Sequence, residues 1–174
     1  MKILVTGGSG MVGSHIGDLI HDYSNHDFTF LSSKECDLRN RYETQCYFEQ
    51  GGFDYIIHLA SKVGGLYSNM AKNIQMFIDN IKINENVLEA CYKYNIHRGI
   101  FILSSCIYTP NPSKFPMDET MIHEGPPHPS NEGYAYAKRM MEMQCRQYNS
   151  KYNTQYICLI PVNLYGPYDN FKFG

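Results

Sequence analysis

The chain has 174 residues, with 15 Lys and Arg against 17 Asp and Glu, for a formal net charge of −2. Apolar residues make up 43% and charged ones 18%, which suits one core-forming domain and excludes a disordered chain. The balanced charge offers no basic stripe for nucleic acid, and no run of about 18 apolar residues is available to cross a membrane.

The elements follow in order. Lys2–Thr6 reads as a strand, ended by Gly7-Gly8-Ser9-Gly10, and a helix follows over roughly Met11–Tyr23. Phe28–Leu31 is a second strand. Arg41–Gln50 is helical, with Gly51-Gly52 as its stop. Tyr55–Leu59 is a third strand. A long helix spans Lys72–Tyr94, with an apolar stripe at Ile74, Phe77, Ile78, Ile81, Leu88 and Cys91 and a wet face at Asp79, Lys82, Glu85 and Glu89. Gly99–Ser104 is a fourth strand. Ile107–Ser130 is a long Pro-rich connection, of a length that is usually functional or disordered. Asn131–Lys151 is helical, and Gln155–Ile160 is a fifth strand. Alternation of strands and helices implies parallel βαβ units. The apolar run Ile100–Leu103 suits a strand covered on both faces. The expected fold is therefore α/β, a doubly wound parallel sheet of about five strands.

The six cysteines, Cys36, Cys46, Cys91, Cys106, Cys145 and Cys158, are widely spaced and form no CxxC pair, which disfavours zinc and dithiol redox sites. The apolar run at the N-terminus is too short for a signal peptide. These residues read as reduced thiols in a cytoplasmic protein.

Gly7, Gly10 and Gly13 give the spacing GxxGxxG, after a strand and at the opening of a helix. The first glycine permits a tight turn, the second lets the backbone approach a pyrophosphate, and the third lets helix and strand pack closely. The helix N-terminus then faces the phosphates. The loop Gly7, Gly8, Ser9, Gly10, Met11, Val12, Gly13 is thus a candidate dinucleotide cradle. At the end of the second strand, Ser32-Ser33-Lys34 presents hydroxyls and an ammonium with no carboxylate at the strand tip. That favours a 2′-phosphate, hence NADP over NAD, although Glu35 lies close by. Asp37 reads either as an acceptor for the adenine amino group or as a turn residue.

Tyr134 and Lys138 share one face of a helix at i, i+4. An ammonium beside a phenol lowers the phenol pKa toward neutrality, so this Tyr can exchange a proton at a carbonyl oxygen. Ser104 and Cys106 follow the fourth strand, and ligands of doubly wound sheets sit beyond the carboxyl ends of strands. A Ser104 hydroxyl there can hydrogen-bond the same carbonyl oxygen.

With these residues in place, the sequence resembles the extended short-chain dehydrogenase/reductases, and among them the epimerase-reductases of GDP-linked 4-keto-6-deoxy sugars. The resemblance is carried by ILVTGGSGMVG (3–13), HLASKVGG (58–65), SSCIY (104–108), MDETMIHEGPP (117–127), NEGYAYAK (131–138) and PVNLYGPYDNF (161–171). It implies a nucleotide-sugar substrate, NADP(H) as cofactor, epimerisation at C3 and C5, then reduction at C4. It further implies that Tyr134 donates a proton to O4, that Ser104 hydrogen-bonds O4, and that Cys106 is the epimerisation acid/base. Lys138 would tune Tyr134 and hold the nicotinamide ribose. Leu59, Ala60 and the segment Pro161, Val162, Asn163, Leu164 would line the cofactor. Val63, Gly64 and Asn163 would edge the sugar nucleotide.

The chain stops at Gly174, before the position where the family carries a catalytic His and before its C-terminal substrate domain. His58, His97, His123 and His128 do not occupy that place. Residues 1–174 are accordingly expected to form the dinucleotide-binding domain alone. Two alternatives stay open: another sugar-nucleotide epimerase or dehydratase of the same superfamily, and a noncatalytic NADP-binding module. A fifth strand at an open edge, Tyr156–Ile160, predicts self-association, hence a homo-oligomer.

Overall fold

A computed structural model describes residues 1–169. The elements are β1 (Lys2–Thr6), α1 (Met11–Leu19), β2 (Asp27–Leu31), α2 (Arg41–Gly51), β3 (Tyr55–His58), α3 (Leu66–Ala71), α4 (Asn73–Lys93), β4 (Arg98–Ile102), α5 (Glu132–Tyr152) and β5 (Gln155–Leu159). They form a five-stranded parallel sheet of order β2-β1-β3-β4-β5 with flanking helices. Chain direction across the sheet reverses at β1. The strand ends on either side of that reversal open a crevice, where ligands of such sheets bind.

Local chemistry sets the boundaries. Asn40 caps α2, its side chain accepting from the N–H groups of Tyr42 and Glu43. Gly52 ends the same helix in the left-handed region, φ 58°. The first helix loses α-geometry after Leu19 and finishes as a 3₁₀ turn, Ile20–Tyr23. The short helix α3 is absent from the periodicity reading, because a single turn and a half carries too few residues to show a period.

One face of the sheet is sealed. Leu4, Leu31, Ile56, Phe101 and Tyr156 pack against Phe48 of α2, Ile83, Val87, Leu88 and Cys91 of α4, and Met141 and Cys145 of α5. The other face is not. The registers Val5↔Ile57, Ile57↔Ile100, Ile100↔Ile157 and Ile102↔Leu159 align one continuous apolar row. Val5 is fully buried, Ile57 and Ile100 are half-buried, and Ile157 and Leu159 are 54% and 45% exposed. The expectation that the fourth strand is covered on both faces is therefore corrected. Its apolar run fits coverage, yet within the described residues only one of its faces is closed.

The long helix also corrects its sequence reading. Ile74 is 70% exposed and Ile78 points outward, whereas Met76, Asp79, Asn80, Ile83, Asn84 and Asn86 face inward. Asp79 is buried rather than on the wet face. The cause is hydrogen bonding. Asn80 accepts from Ser61 Oγ and Lys62 N and donates to the Lys62 and Met76 carbonyls. Asn86 donates to the Leu38 carbonyl. Asp79 meets Arg39 and Gln75. A polar residue whose partners are inside follows them inside.

The Pro-rich connection is ordered in three 3₁₀ turns, Ser105–Ile107, Glu119–His123 and Pro129–Asn131. Met121 and Ile122 anchor it in the core. Buried Arg139 of α5 donates to the Ile107 and Gly125 carbonyls, both at 2.7 Å. All six cysteines are free thiols. Among the described residues no helix is long and apolar enough to cross a membrane, and no cluster could hold a metal ion.

Candidate active site

A cleft of about 940 Å³ opens at the carboxyl ends of the strands. Its floor is the glycine loop. Gly7 turns at φ +70°, and a Cβ there would sit 2.8 Å from Ala60 N. Gly10 is open apart from Gly7 O, and no side chain caps α1 at that point. A Cβ on Gly13 would lie 2.6 Å from Gly8 O and 2.7 Å from Gly7 O. The three glycines thus differ: Gly7 turns against the Ala60 backbone, Gly10 has open space apart from one carbonyl, and Gly13 lies against the loop carbonyls of Gly7 and Gly8. Ser9, Met11 and Val12 also line the cleft. Gly8 does not. Its N–H is bound to Leu31 O and its Cα packs on Phe30, so its task is to seat the loop on β2.

Ser32, Ser33 and Asp37 line the cleft beyond β2. The expected absence of a carboxylate at this strand tip is corrected. Glu35 folds back, and one carboxylate oxygen accepts both the N–H and the O–H of Ser32 at 2.8 Å. These bonds hold Glu35 below the ordinary carboxylate range. Glu35 is not part of the cleft wall, so it braces the turn. Asp37 is gripped by Arg39, with Nε and a terminal nitrogen on its two oxygens. That side-chain hydrogen bond lowers the Asp37 pKa.

Arg39 was not singled out by sequence. It lines the cleft and also meets Asp79 at 3.6 Å. Its position two residues after Asp37 gave the only signal, and its second partner lies on a different element.

Leu59 and Ala60 form the wall beyond β3, and Val63 and Gly64 its rim. Pro161, Val162, Asn163 and Leu164 close the far side. The last part of the quoted C-terminal segment, Asn170 and Phe171, lies outside the described residues.

Ser104, Cys106, Tyr134 and Lys138 converge where β4 ends. Ser104 and Tyr134 line the cleft; Cys106 and Lys138 lie just behind. Cys106 N–H reaches Ser104 Oγ at 3.4 Å, and the Ser104 hydroxyl faces the Cys106 thiol. Burial pushes the Cys106 thiol up, and the Ser104 hydrogen bond and Lys138 charge offset only part of that. Lys138 is 1% exposed and donates to Ile102 O at 2.7 Å. Burial brings its pKa down to about 8. Tyr134 is pushed up to about 12, first by burial and then by facing Cys106. The expected depression of Tyr134 by the ammonium is therefore not found. Lys138 Nζ stands 5.6 Å from the Tyr134 ring centroid and spends its hydrogen bond on Ile102. Tyr134 is held as a protonated phenol, a donor.

Ser61 is a second residue that sequence reasoning missed. It lines the cleft, donates to Asn80 and faces the Tyr134 hydroxyl. His123 and His128 are exposed in the connection; the former approaches Glu142 at 3.7 Å and the latter caps the turn before α5.

Known proteins are similar along nearly the whole chain. A protein named GDP-L-fucose synthase from Dictyostelium discoideum is 49% identical over 97% of the chain and 53% of its own length. A probable GDP-L-fucose synthase from Drosophila melanogaster is 43% identical over 98% of the chain and 54% of its own length. A crystal structure of a GDP-L-fucose synthetase from Naegleria fowleri bound to NADP superposes with a TM-score of 0.89 at 40% identity, over 98% of this chain and 53% of that one. The chain thus spans about half the length of the curated relatives it matches. Residues 3–173 match the model of the NAD dependent epimerase/dehydratase family, and the chain belongs to that family.

Proposed function

We propose that residues 1–174 form the NADP(H)-binding domain of an enzyme that epimerises GDP-4-keto-6-deoxy-D-mannose at C3 and C5 and reduces it at C4, giving GDP-L-fucose. One observation carries this reading: a serine, a thiol, a protonated phenol and a buried ammonium meet at one edge of a glycine-floored cleft. Relatives named for this synthesis at 43–49% identity support it.

The cleft fits a dinucleotide. Gly10 leaves room for close approach and α1 begins with no side-chain cap, so its first amides suit a pyrophosphate. Ser33 and Arg39 line the cleft beyond β2, and with the adjacent Lys34 ammonium they would hold a 2′-phosphate. Bound there, NADPH would supply the hydride that reduces C4. The chain's own groups do the rest. Ser104 would hydrogen-bond O4 through its hydroxyl, keeping its proton, and hold the ketone in place. Tyr134, kept protonated by burial, gives its proton to O4 as negative charge develops. Cys106 exchanges protons at the carbons that the 4-keto group acidifies. Lys138, the ammonium nearest Tyr134, would hold the nicotinamide ribose. Val63, Gly64 and Asn163 border the sugar. A reducing cytoplasm is the compartment this reading assigns, from the wide spacing of the cysteines and their lack of a CxxC pair.

NADPH titration by fluorescence tests the first half of this reading, and NADPH oxidation with the keto sugar nucleotide tests the second. The expected result is saturable binding with slow or no turnover by the 174-residue chain. Absence of binding overturns the proposal. NADPH binding with no turnover, even when the C-terminal half of a relative is supplied, would favour a noncatalytic module.

A further inference from the structure

One fully buried histidine takes no part in the chemistry above. His58 ends β3, directly before the cleft-lining Leu59 and Ala60, and has no exposed surface. Its Nδ1 lies 2.7 Å from Thr6 Oγ1, and its Nε2 lies 3.3 Å from Asn84 Oδ1.

Donor and acceptor chemistry fixes the tautomer. Asn84 Nδ2 donates to the Ala137 carbonyl at 3.3 Å. A carbonyl only accepts, so the amide cannot be turned the other way. Asn84 Oδ1 therefore faces His58, and it too only accepts. Nε2 must carry the ring proton. Nδ1 is then an acceptor and takes the Thr6 hydroxyl proton. Thr6 Oγ1 in turn accepts from Ala60 N–H at 3.3 Å. The outcome is one directed chain: Ala60 N–H to Thr6, Thr6 to His58, His58 to Asn84, Asn84 to the Ala137 carbonyl.

The two ends of this chain matter. Ala60 is the residue against which Gly7 turns. Ala137 immediately precedes Lys138 on α5, in the same turn as Tyr134. Along the way the chain joins β1, β3, α4 and α5. Burial keeps the ring neutral, with a pKa down at about 3, and the nearby Lys138 ammonium acts in the same direction.

We propose that His58 is a positioning residue: through Thr6 and Asn84 it locks the glycine-loop wall to the helix that carries Tyr134 and Lys138. It thereby sets the spacing between the phosphate cradle and the proton-transfer groups. The hydrogen-bond chain stands on the geometry alone, whereas its consequence for binding rests on the dinucleotide reading above.

Two measurements test it. Nitrogen-15 NMR of labelled histidine in the 174-residue chain at neutral pH reads the tautomer directly. A protonated Nε2 with an unprotonated Nδ1 is expected; the opposite tautomer or a cationic ring overturns the proposal. NADPH titration then compares His58→Phe, which leaves Asn84 Oδ1 without its donor, with His58→Gln, whose amide N–H can replace it. His58→Phe is expected to bind about tenfold more weakly and His58→Gln to stay within about threefold of the native chain. Native affinity in His58→Phe, or equal loss in both variants, overturns the role. Should His58→Phe fail to fold, the tautomer and the His58→Gln affinity still decide. A native chain that binds no NADPH overturns the proposed function and the positioning role together. A wrong tautomer with normal NADPH binding overturns the positioning role alone.

Discussion

Gly10 caps α1 and Gly13 lies in its first turn, yet a methyl group added at each meets a different environment. At Gly13 it collides with two backbone oxygens at 2.6 and 2.7 Å, and backbone cannot step aside. At Gly10 it meets only Gly7 O, at 3.2 Å, and enters the cleft that is proposed to take a pyrophosphate. Gly13→Ala is therefore expected to destabilise the chain by about 1–3 kcal/mol. Gly10→Ala is expected to leave stability within about 0.5 kcal/mol of native while weakening NADPH binding. Thermal unfolding with and without NADPH separates the two; equal loss of stability in both variants would contradict the division of labour. The different surroundings of these glycines are legible because each has its neighbours within the same strand–turn–helix. The same holds for Tyr134 with Lys138, joined by one helical turn. Arg39, Ser61, His58 and Asn84 were not legible as a site, since their partners Asp79, Asn80, Asn84 and Ala137 come from other elements. The protonated state of Tyr134 escapes the sequence for a related reason. Spacing shows that an ammonium is near, and only the fold shows that its hydrogen bond goes to Ile102 and that burial dominates.

At the scale of elements, α5 has two jobs along one helix. Tyr134 lines the cleft with Lys138 buried behind it, and Arg139 holds the connection that runs from Ile107 to Asn131. The Arg139 guanidinium bridges the Ile107 and Gly125 carbonyls, near the start of that connection and towards its end. Both carbonyls would lose their donor in Arg139→Leu. Leaving buried acceptors unpaired costs roughly 1–3 kcal/mol each, so for the two carbonyls a fall in stability of about 2–6 kcal/mol is expected. Limited proteolysis should then cut between residues 108 and 124 at rates the native chain does not show. Unchanged cleavage would mean that Met121 and Ile122 suffice as anchors. The strands and four of the five helices were readable from period and punctuation to within a few residues. The inward face of α4 was not, because periodicity ranks residues by hydrophobicity alone. Asn80, Asn84 and Asn86 are buried for their hydrogen bonds, and their spacing shifts the buried face away from Ile74 and Ile78.

At the scale of the whole molecule, the sheet is closed on one side and graded on the other. Exposure along the row Val5, Ile57, Ile100, Ile157 rises from zero to more than half. β5 is also the last strand in the sheet order, so its outer backbone edge has no strand paired to it among the described residues. Apolar side chains and unpaired edge groups at the same place favour association with another chain. The sequence pointed to the edge, but it assigned both faces of the fourth strand to the interior, since an apolar run looks the same whether one face or two are covered. The 174-residue chain is expected to self-associate with rising concentration in sedimentation velocity. Ile157→Lys with Leu159→Lys places two charges on the exposed row without touching Tyr156 or Cys158, which face the sealed side. That double variant should shift the chain toward monomer and leave NADPH affinity unchanged, because neither residue lines the cleft. A native chain that stays monomeric at all concentrations would show that the row is tolerated in water. Association that persists in the double variant would place the contact elsewhere, with the exposed Tyr67, Met70 and Ile74 around α3 and the start of α4 the next surface to change.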